Sequence, residues 1–211
     1  SGSRGNGTLV KFEDSLVLID CGFSLKETER RLDRHGVSAQ QLDAIVVTHE
    51  HSDHCSGVGR LSRRYQIPVY MSHGTYVSER CSDVHEYRMV CSEKPFLVGA
   101  LELTPVAVPH DAREPCQFVI AAGGLRFGLL TDLGSVSALV RQYFSGLHGL
   151  LLEANHDTEL LQAGSYPPSL KRRVASDWGH LNNHQAGHFL GTIDHEHLQH
   201  VVIAHISEKN N

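Results

Sequence analysis

The sequence predicts an α/β fold with two mixed β-sheets flanked by helices, a four-layer αββα sandwich. Strand-like segments come first, and helical and strand-like segments alternate over the last third. No linker, repeat or low-complexity tract interrupts the chain, and 211 residues are enough for one domain with a sizeable core. We therefore predict a single domain over residues 1–211, with truncation at either end left open.

Apolar periodicity and turn residues define the elements in order. Two β-rich runs separated by "EDS" predict a hairpin, and the first helix has Ser24 as its cap and Gly36 as its stop. The predicted strands are 8–12, 16–20, 43–49, 67–72, 86–90, 101–108, 116–122, 125–132, 149–154 and 198–205. The predicted helices are 24–36, 54–65, 135–144, 167–176 and 182–193, with another beginning near His156.

Composition and charge narrow the classes of function. A net charge of −5 argues against binding of nucleic acid by bulk positive charge, although bound metals would create a local positive site. Five cysteines without a CxxC pair predict a reducing, cytoplasmic compartment. The sequence has no apolar stretch of about 18 residues and no signal-peptide pattern, so we predict no membrane span and no membrane partner.

The segment "THEHSDH" (48–54) carries the strongest chemical signal. His49 and His51 are two residues apart at a strand end, so their side chains can point to one side, and Asp53 and His54 follow at a helix start. Four such side chains in six residues would be costly to bury without a shared partner such as a metal. The alternative is a histidine-rich surface loop.

Further acids and histidines fall at predicted strand ends: Asp20, His110, Asp132 and His205. Singly, each would be expected to be a solvated or satisfied side chain. Together with the segment 48–54 they predict two divalent metals: His49, His51 and His110 at the first, Asp53, His54 and His205 at the second, and Asp132 bridging both. Such ligands suit zinc best, with manganese or iron as alternatives. Two metals can share a hydroxide that attacks an ester, amide or phosphodiester.

The HxHxDH pattern after a strand, preceded by an Asp and followed by spaced His, Asp and His, resembles the metallo-β-lactamase superfamily. The resemblance covers nearly the whole chain and implies the αββα fold and dinuclear metal hydrolysis. It implies that Asp20 is a buried acid that orients the ligand loop, and that Asp53 is both a ligand and a catalytic residue. The superfamily fixes this chemistry better than it fixes a substrate.

Three stretches narrow the substrate. "SGSRGNGT" (1–8), "LLLEANHD" (150–157) and "GHLNN" (179–183) followed by "IAHISEKNN" (203–211) resemble the YycJ/WalJ-type group, regarded as 5′→3′ DNA exonucleases. "GHLNNHQAG" is also similar to the histidine motif of the ribonuclease Z group. That similarity implies that His180 is catalytic, that Gln185 and Ala186 match the Gln-Ala of the motif, and that Glu153 is the acidic partner.

His180 suits phosphodiester cleavage, because this reaction needs a group that stabilises the leaving oxygen by hydrogen bonding or protonation. The metals would provide the nucleophile and neutralise charge on the phosphoryl oxygens. Glu153 could hold His180 in one tautomer. The alternative for His180 is an exposed loop histidine, and the alternatives for Glu153 are a solvated strand-end acid or a helix N-terminal charge.

The candidate substrate-binding residues are Ser3, Asn6, Arg172 and Asn183. The glycine-rich start could form an anion-binding nest or be a flexible loop, and the cluster Lys171–Arg173 could track a DNA backbone or be a solvated helix face. Asn182 is interpreted as a helix cap. Trp178 is interpreted as a core anchor, with base stacking as the alternative.

The sequence thus predicts a metal-dependent, cytoplasmic nuclease acting on DNA. Its rivals are a β-lactamase, a glyoxalase II-like thioesterase and a non-catalytic metal-bound binding protein. The natural substrate, the polarity of digestion, the metal in the cell and the oligomeric state are left open.

Overall fold

The computed structural model describes residues 5–81 and 83–211, which form two compact units. Unit 1 consists of the described residues up to Pro105 together with Ala112–Cys116. Unit 2 consists of Val106–Asp111 and Gln117–Asn211.

Unit 1 is built on a five-stranded mixed sheet of order β1-β2-β3-β4-β5. Its strands are β1 (Thr8–Phe12), β2 (Ser15–Ile19), β3 (Ala44–Val46), β4 (Pro68–Met71) and β5 (Glu86–Met89). β1 and β2 form the predicted antiparallel hairpin, with Val10 opposite Val17, and the remaining neighbours are parallel. A second antiparallel hairpin joins β6 (Phe96–Val98) to β7 (Leu101–Ala107), whose last two residues belong to unit 2.

The helices of unit 1 pack against a largely aliphatic core. They are α1 (Leu25–Arg34), α2 (Ser52–Cys55), α3 (Val58–Tyr65) and α4 (His73–Tyr76), with a 3-10 turn at Ala39–Gln41. Ser24 caps α1 by accepting from the Glu27 amide, as its sequence predicts. β2 and β3 are buried along their whole length, so the chain that follows them is firmly positioned.

Unit 2 contains β8 (Cys116–Ala122), β9 (Leu125–Leu130), β10 (Gly149–Glu153) and β11 (His200–Ala204) in the order β11-β10-β9-β8, except that the first residue of β8 belongs to unit 1. β8 and β9 are antiparallel, whereas β9, β10 and β11 are parallel. Its helices are α5 (Ala138–Tyr143), α6 (Thr158–Ala163), α7 (Pro168–Val174) and α8 (Asn183–Leu190). Phe144 and Phe189 are fully buried among the leucines of β9 and β10.

The predicted class, an α/β protein with two mixed sheets and accompanying helices, is confirmed. The prediction of one helix over 54–65 is wrong, because the chain turns at Ser56 and Gly57 and forms α2 and α3. The short elements α4 and β6 were not predicted from the sequence. The single domain over residues 1–211 stays a prediction. Among the described residues, every helix is too short or too polar to cross a membrane.

Candidate functional site

Asp20 forms hydrogen bonds with the histidine-rich segment 48–54 of unit 1. It follows β2, and its backbone N–H donates to the carbonyl of Val46 at 2.8 Å because β2 and β3 run parallel. Its buried carboxylate accepts the Thr48 backbone N–H at 2.8 Å, the Thr48 hydroxyl at 2.9 Å and Nδ1–H of His54 at 2.8 Å. Asp20 therefore orients the segment, as the resemblance implies.

Three histidine rings of this segment pack together. The ring centroid of His49 lies 4.5 Å from that of His51 and 4.2 Å from that of His54. Since the Thr48 hydroxyl donates to Asp20, its oxygen accepts Nδ1–H of His49 at 2.9 Å. His49 and His54 are each 1% exposed or less. In this tautomer Nε2 carries the lone pair of both rings, and this donor set fits a divalent metal.

Asn6 contacts two of the predicted ligands. Its side-chain amide donates to Oδ2 of Asp53 at 3.1 Å and lies 3.0 Å from Nε2 of His54, which is the accepting nitrogen because Nδ1 donates to Asp20. The backbone of Asn6 also donates to the Asp53 carbonyl at 2.7 Å. A Cβ at Gly22 would lie 1.7 Å from that carbonyl oxygen, so only glycine allows this approach.

In unit 2 the parallel register brings three chemical groups to one sheet edge. Glu153 ends β10 opposite Ala204, and His205 follows β11, while Asp132 lies two residues after β9. The carboxyl ends of parallel strands meet at the same edge, which explains the grouping. Asp132 and His205 have φ values of 52° and 53°, an uncommon left-handed backbone that functional sites often retain.

Glu153 is fully buried and accepts four hydrogen bonds. Oε1 accepts Nδ1–H of His180 at 2.7 Å and Nδ1–H of His205 at 2.7 Å. Oε2 accepts the backbone N–H groups of Leu133 and Leu181, each at 3.2 Å. The carboxylate is thus satisfied within the protein and fixes the orientation of both imidazoles.

The charges of this group reinforce one another. Burial opposes a charged His180, but the charge and hydrogen bond of Glu153 outweigh it and raise the pKa of His180 to about 9. For Glu153, burial alone would raise the pKa of the carboxyl group. The charge and hydrogen bond of His180 and the hydrogen bond of His205 outweigh burial and lower this pKa to about 2. The pair is therefore an imidazolium and a carboxylate at neutral pH.

One donor atom each from Asp132, Glu153, His180 and His205 lies within 4.8 Å of the others, so the group could hold a metal. Because each oxygen of Glu153 already accepts two N–H groups, Glu153 is the least suited of the four to bind a metal. Nδ1 of His110 donates to the Gly179 carbonyl at 3.0 Å, so Nε2 is the nitrogen of this ring that could bind a metal.

Comparison with known proteins is consistent with this geometry. Residues 16–206 match the model of the Beta-lactamase superfamily domain. The chain belongs to the beta-lactamase superfamily. Over 217 aligned residues it is 35% identical to exodeoxyribonuclease YycJ of Bacillus anthracis and 33% identical to exodeoxyribonuclease WalJ of Streptococcus pneumoniae. Each alignment covers 100% of this chain and 81% of the relative.

A solved structure shows the same fold. The metallo-beta-lactamase fold protein YhfI from Bacillus subtilis has a TM-score of 0.72 and 18% identity, over 97% of this chain and 80% of that chain. The metallo-β-lactamase fold predicted from the sequence is therefore confirmed. Membership of the beta-lactamase superfamily, the exodeoxyribonuclease relatives and the His/Asp groups identify this chain as a metal-dependent hydrolase that binds divalent metal.

Gln185, which matches the Gln of the ribonuclease Z motif, has a structural role in this chain. Gln185 closes a capping box at the start of α8: the side chain of Asn182 accepts the Gln185 backbone N–H at 2.8 Å, and the Gln185 side chain accepts the Asn182 N–H at 2.9 Å. The interpretation of Asn182 as a cap is confirmed. The helix start thereby fixes the chain that follows His180.

Of the four predicted substrate-binding residues, the three that the structure describes differ in exposure and in hydrogen-bond partners. Ser3 lies outside the described residues. The side chain of Asn183 exchanges hydrogen bonds of 3.1 Å with that of Asn211, whereas Arg172 is exposed on α7. Asn6 contacts Asp53 and His54.

Trp178 corrects an interpretation of the sequence. Its side chain is 60% exposed, so the prediction of a core anchor is wrong. Two polar residues that reasoning from the sequence missed also hold the site: Thr48, and Asn155, whose amide donates to the His205 carbonyl at 2.9 Å. Thr48 lies inside the histidine-rich segment 48–54, whose pattern could have indicated its role. Asn155 has no sequence signal beyond its position after β10.

Proposed function

We propose that the chain is a dinuclear metal-dependent phosphodiesterase that degrades DNA exonucleolytically in the 5′→3′ direction. The observation that carries this proposal is the His180–Glu153 hydrogen bond of 2.7 Å in the group that contains Asp132 and His205. It places a proton donor among residues suited to metals, as phosphodiester cleavage requires. The exodeoxyribonuclease names of the relatives with 33–35% identity support it.

We propose as metal ligands the residues that the sequence predicts: His49, His51, Asp53, His54, His110, Asp132 and His205. Imidazole and carboxylate ligands favour zinc, with manganese or iron as alternatives. When bound, two divalent ions supply an activated water-derived nucleophile and neutralise charge on the phosphoryl oxygens. Asp20 orients His54 for this role, and Glu153 orients His205.

His180 is the proposed general acid. With its pKa raised to about 9, the imidazolium is the main form at neutral pH. Nδ1–H stays with Glu153, so the proton that moves to the leaving oxygen is the one on Nε2. The carboxylate stabilises the imidazolium before transfer, and it keeps the neutral ring in the Nδ1–H tautomer afterwards. His180 thereby spares the leaving oxygen a full negative charge.

The substrate contacts and the location remain proposals as well. Arg172 is exposed and suited to a phosphate, while Asn6 and Asn183 would have to exchange their present partners for substrate. Ser3 is proposed on sequence alone. All five cysteines are free thiols, which agrees with the proposed cytoplasmic location.

One experiment separates this function from its rivals. The zinc- or manganese-loaded protein is offered 5′-labelled and 3′-labelled DNA, bis-p-nitrophenyl phosphate, a thioester and a chromogenic cephalosporin. We expect metal-dependent hydrolysis of both phosphodiesters and early release of the 5′ label.

Hydrolysis of the cephalosporin or the thioester alone would overturn the nuclease proposal. Metal binding without turnover of any substrate would identify a binding protein instead. Early release of the 3′ label would contradict only the proposed direction.

A further inference from the structure

Trp178 is the sole tryptophan of the chain, and its side chain is 60% exposed. An aromatic ring of this size normally buries most of its area, so an exposed one at a structured position suggests a ligand. It lies two residues before His180, in the same unit.

The backbone of Trp178 is fixed by two of the loops that carry predicted site residues. Its carbonyl accepts the backbone N–H of Asp111, the residue after His110, at 3.0 Å. A Cβ at Gly134, two residues after Asp132, would lie 2.4 Å from the Trp178 nitrogen. The chain therefore packs directly on Gly134, and these contacts hold the backbone that carries the solvent-exposed indole.

The next carbonyl continues the link to the site. The Gly179 oxygen accepts Nδ1–H of His110 at 3.0 Å, and the ring centroid of His180 lies 5.4 Å from that of His110. The loop that carries the indole therefore also carries the proposed general acid, and it accepts a hydrogen bond from a predicted metal ligand. A ligand group stacked on the indole would contact this same loop.

Positive charge lies on the helix that precedes Trp178. α7 has no buried residue and carries Lys171, Arg172 and Arg173 in its last turn. Arg173 pairs with Asp111, and Lys171 donates to the Gln162 carbonyl at 2.5 Å, so Arg172 is the most available cation of the three. An exposed aromatic and an exposed cation on the same stretch of chain, here Trp178 and Arg172, are a combination with which proteins bind single-stranded nucleic acid.

We propose that Trp178 stacks on an unpaired nucleobase of single-stranded nucleic acid, next to the phosphodiester that His180 serves. This inference rests on the proposed function. An unpaired base is the fitting occupant because every base has an exposed π-face in a single strand, whereas the faces of duplex bases are covered by their neighbours. Such stacking tolerates any sequence, as a degradative exonuclease requires.

The sole tryptophan makes the test direct, since all indole fluorescence comes from Trp178. Metal-loaded protein is titrated with a single-stranded DNA oligonucleotide whose phosphorothioate linkages resist cleavage, and with an abasic strand of equal length and charge. We expect saturable quenching with the base-containing strand and little quenching with the abasic one. Equal responses to both strands, or binding seen by anisotropy without quenching, would overturn the inference.

Affinity measurements of variants by anisotropy provide the second arm. Loss of one stacked base predicts that Trp178→Ala weakens binding of the base-containing strand by about fivefold or more, with little effect on the abasic strand. Trp178→Phe should restore most of the affinity, whereas Trp178→Leu should not. Leu160→Ala removes another exposed apolar side chain of unit 2 and serves as the control with unchanged affinity.

The outcomes separate the two proposals. Unchanged affinity in Trp178→Ala, with DNA still hydrolysed by the parent protein, would overturn the stacking role alone. Equal affinity of Trp178→Leu and the parent would point to a general apolar contact, such as one with a protein partner. Failure of the parent protein to bind or cleave any strand would overturn the proposed function itself.

Discussion

Glu153 holds His180 through a hydrogen bond of 2.7 Å between Oε1 and Nδ1. The same oxygen accepts Nδ1–H of His205, also at 2.7 Å. The proposed general acid and a proposed metal ligand therefore depend on one buried carboxylate oxygen. Removing its charge should disturb proton transfer and metal binding together, and the two effects can be measured separately.

The pH dependence of hydrolysis tests the role of the pair. Because the imidazolium of His180 is the active form, we expect kcat to fall as pH rises through about 9, where His180 loses its proton. Glu153→Gln removes the charge that raises this pKa, so the alkaline limb should move to lower pH. Glu159→Gln, on an exposed residue of α6, is the control that should leave the limb in place. An alkaline limb that Glu153→Gln leaves unmoved would contradict the assignment.

Replacement of His180 separates catalysis from metal binding. We expect His180→Ala to retain its metals and to lose about 10²- to 10⁴-fold in phosphodiester hydrolysis, the usual contribution of a general acid. His205→Ala should instead lose metal. Metal content by atomic emission, measured beside the rate, checks both outcomes. Loss of metal from His180→Ala would show that His180 is a ligand, which its proximity to Asp132 allows.

Much of the site geometry follows from strand ends. The sequence places Asp20, Asp132 and Glu153 at or just after strands, and parallel pairing within each unit brings such ends to one edge. The resemblance to the ribonuclease Z motif implied that Glu153 pairs with His180, which lies 27 residues later. Nothing local in the sequence indicates that the same oxygen also accepts Nδ1–H of His205, 52 residues after Glu153.

Trp178 shows a second limit of sequence reasoning. A lone tryptophan among small residues is usually a core anchor, because burial of its large apolar surface is favourable. Here its backbone is fixed by Gly134 and Asp111, which are 44 and 67 residues earlier (178 − 134 and 178 − 111). The tertiary contact holds the chain, so the indole is not needed in the core.

Asp20 should control metal affinity from outside the ligand set. Asp20→Ala leaves the Thr48 N–H and the His54 imidazole without their acceptor, so we expect about 10- to 100-fold weaker metal binding and a loss of about 1–3 kcal/mol in unfolding free energy. Competition with a chelator and urea unfolding measure the two effects. Asp14→Ala, at the exposed turn between β1 and β2, is the matched control. Unaltered metal affinity in Asp20→Ala would refute the orienting role.

Two glycine replacements provide the last test, since one glycine is packed and the other is open. A Cβ at Gly22 would lie 1.7 Å from the Asp53 carbonyl oxygen, whereas no described atom lies within 4 Å of a Cβ at Gly187 in α8. We expect Gly22→Ala to destabilise by about 1–3 kcal/mol or more and to lower metal content, because the loop that carries Asp53 must move. Gly187→Ala should raise the unfolding free energy by about 0.5–1 kcal/mol. Urea unfolding with metal analysis compares them, and a Gly22→Ala protein of full stability and metal content would mean that this close approach does not position Asp53.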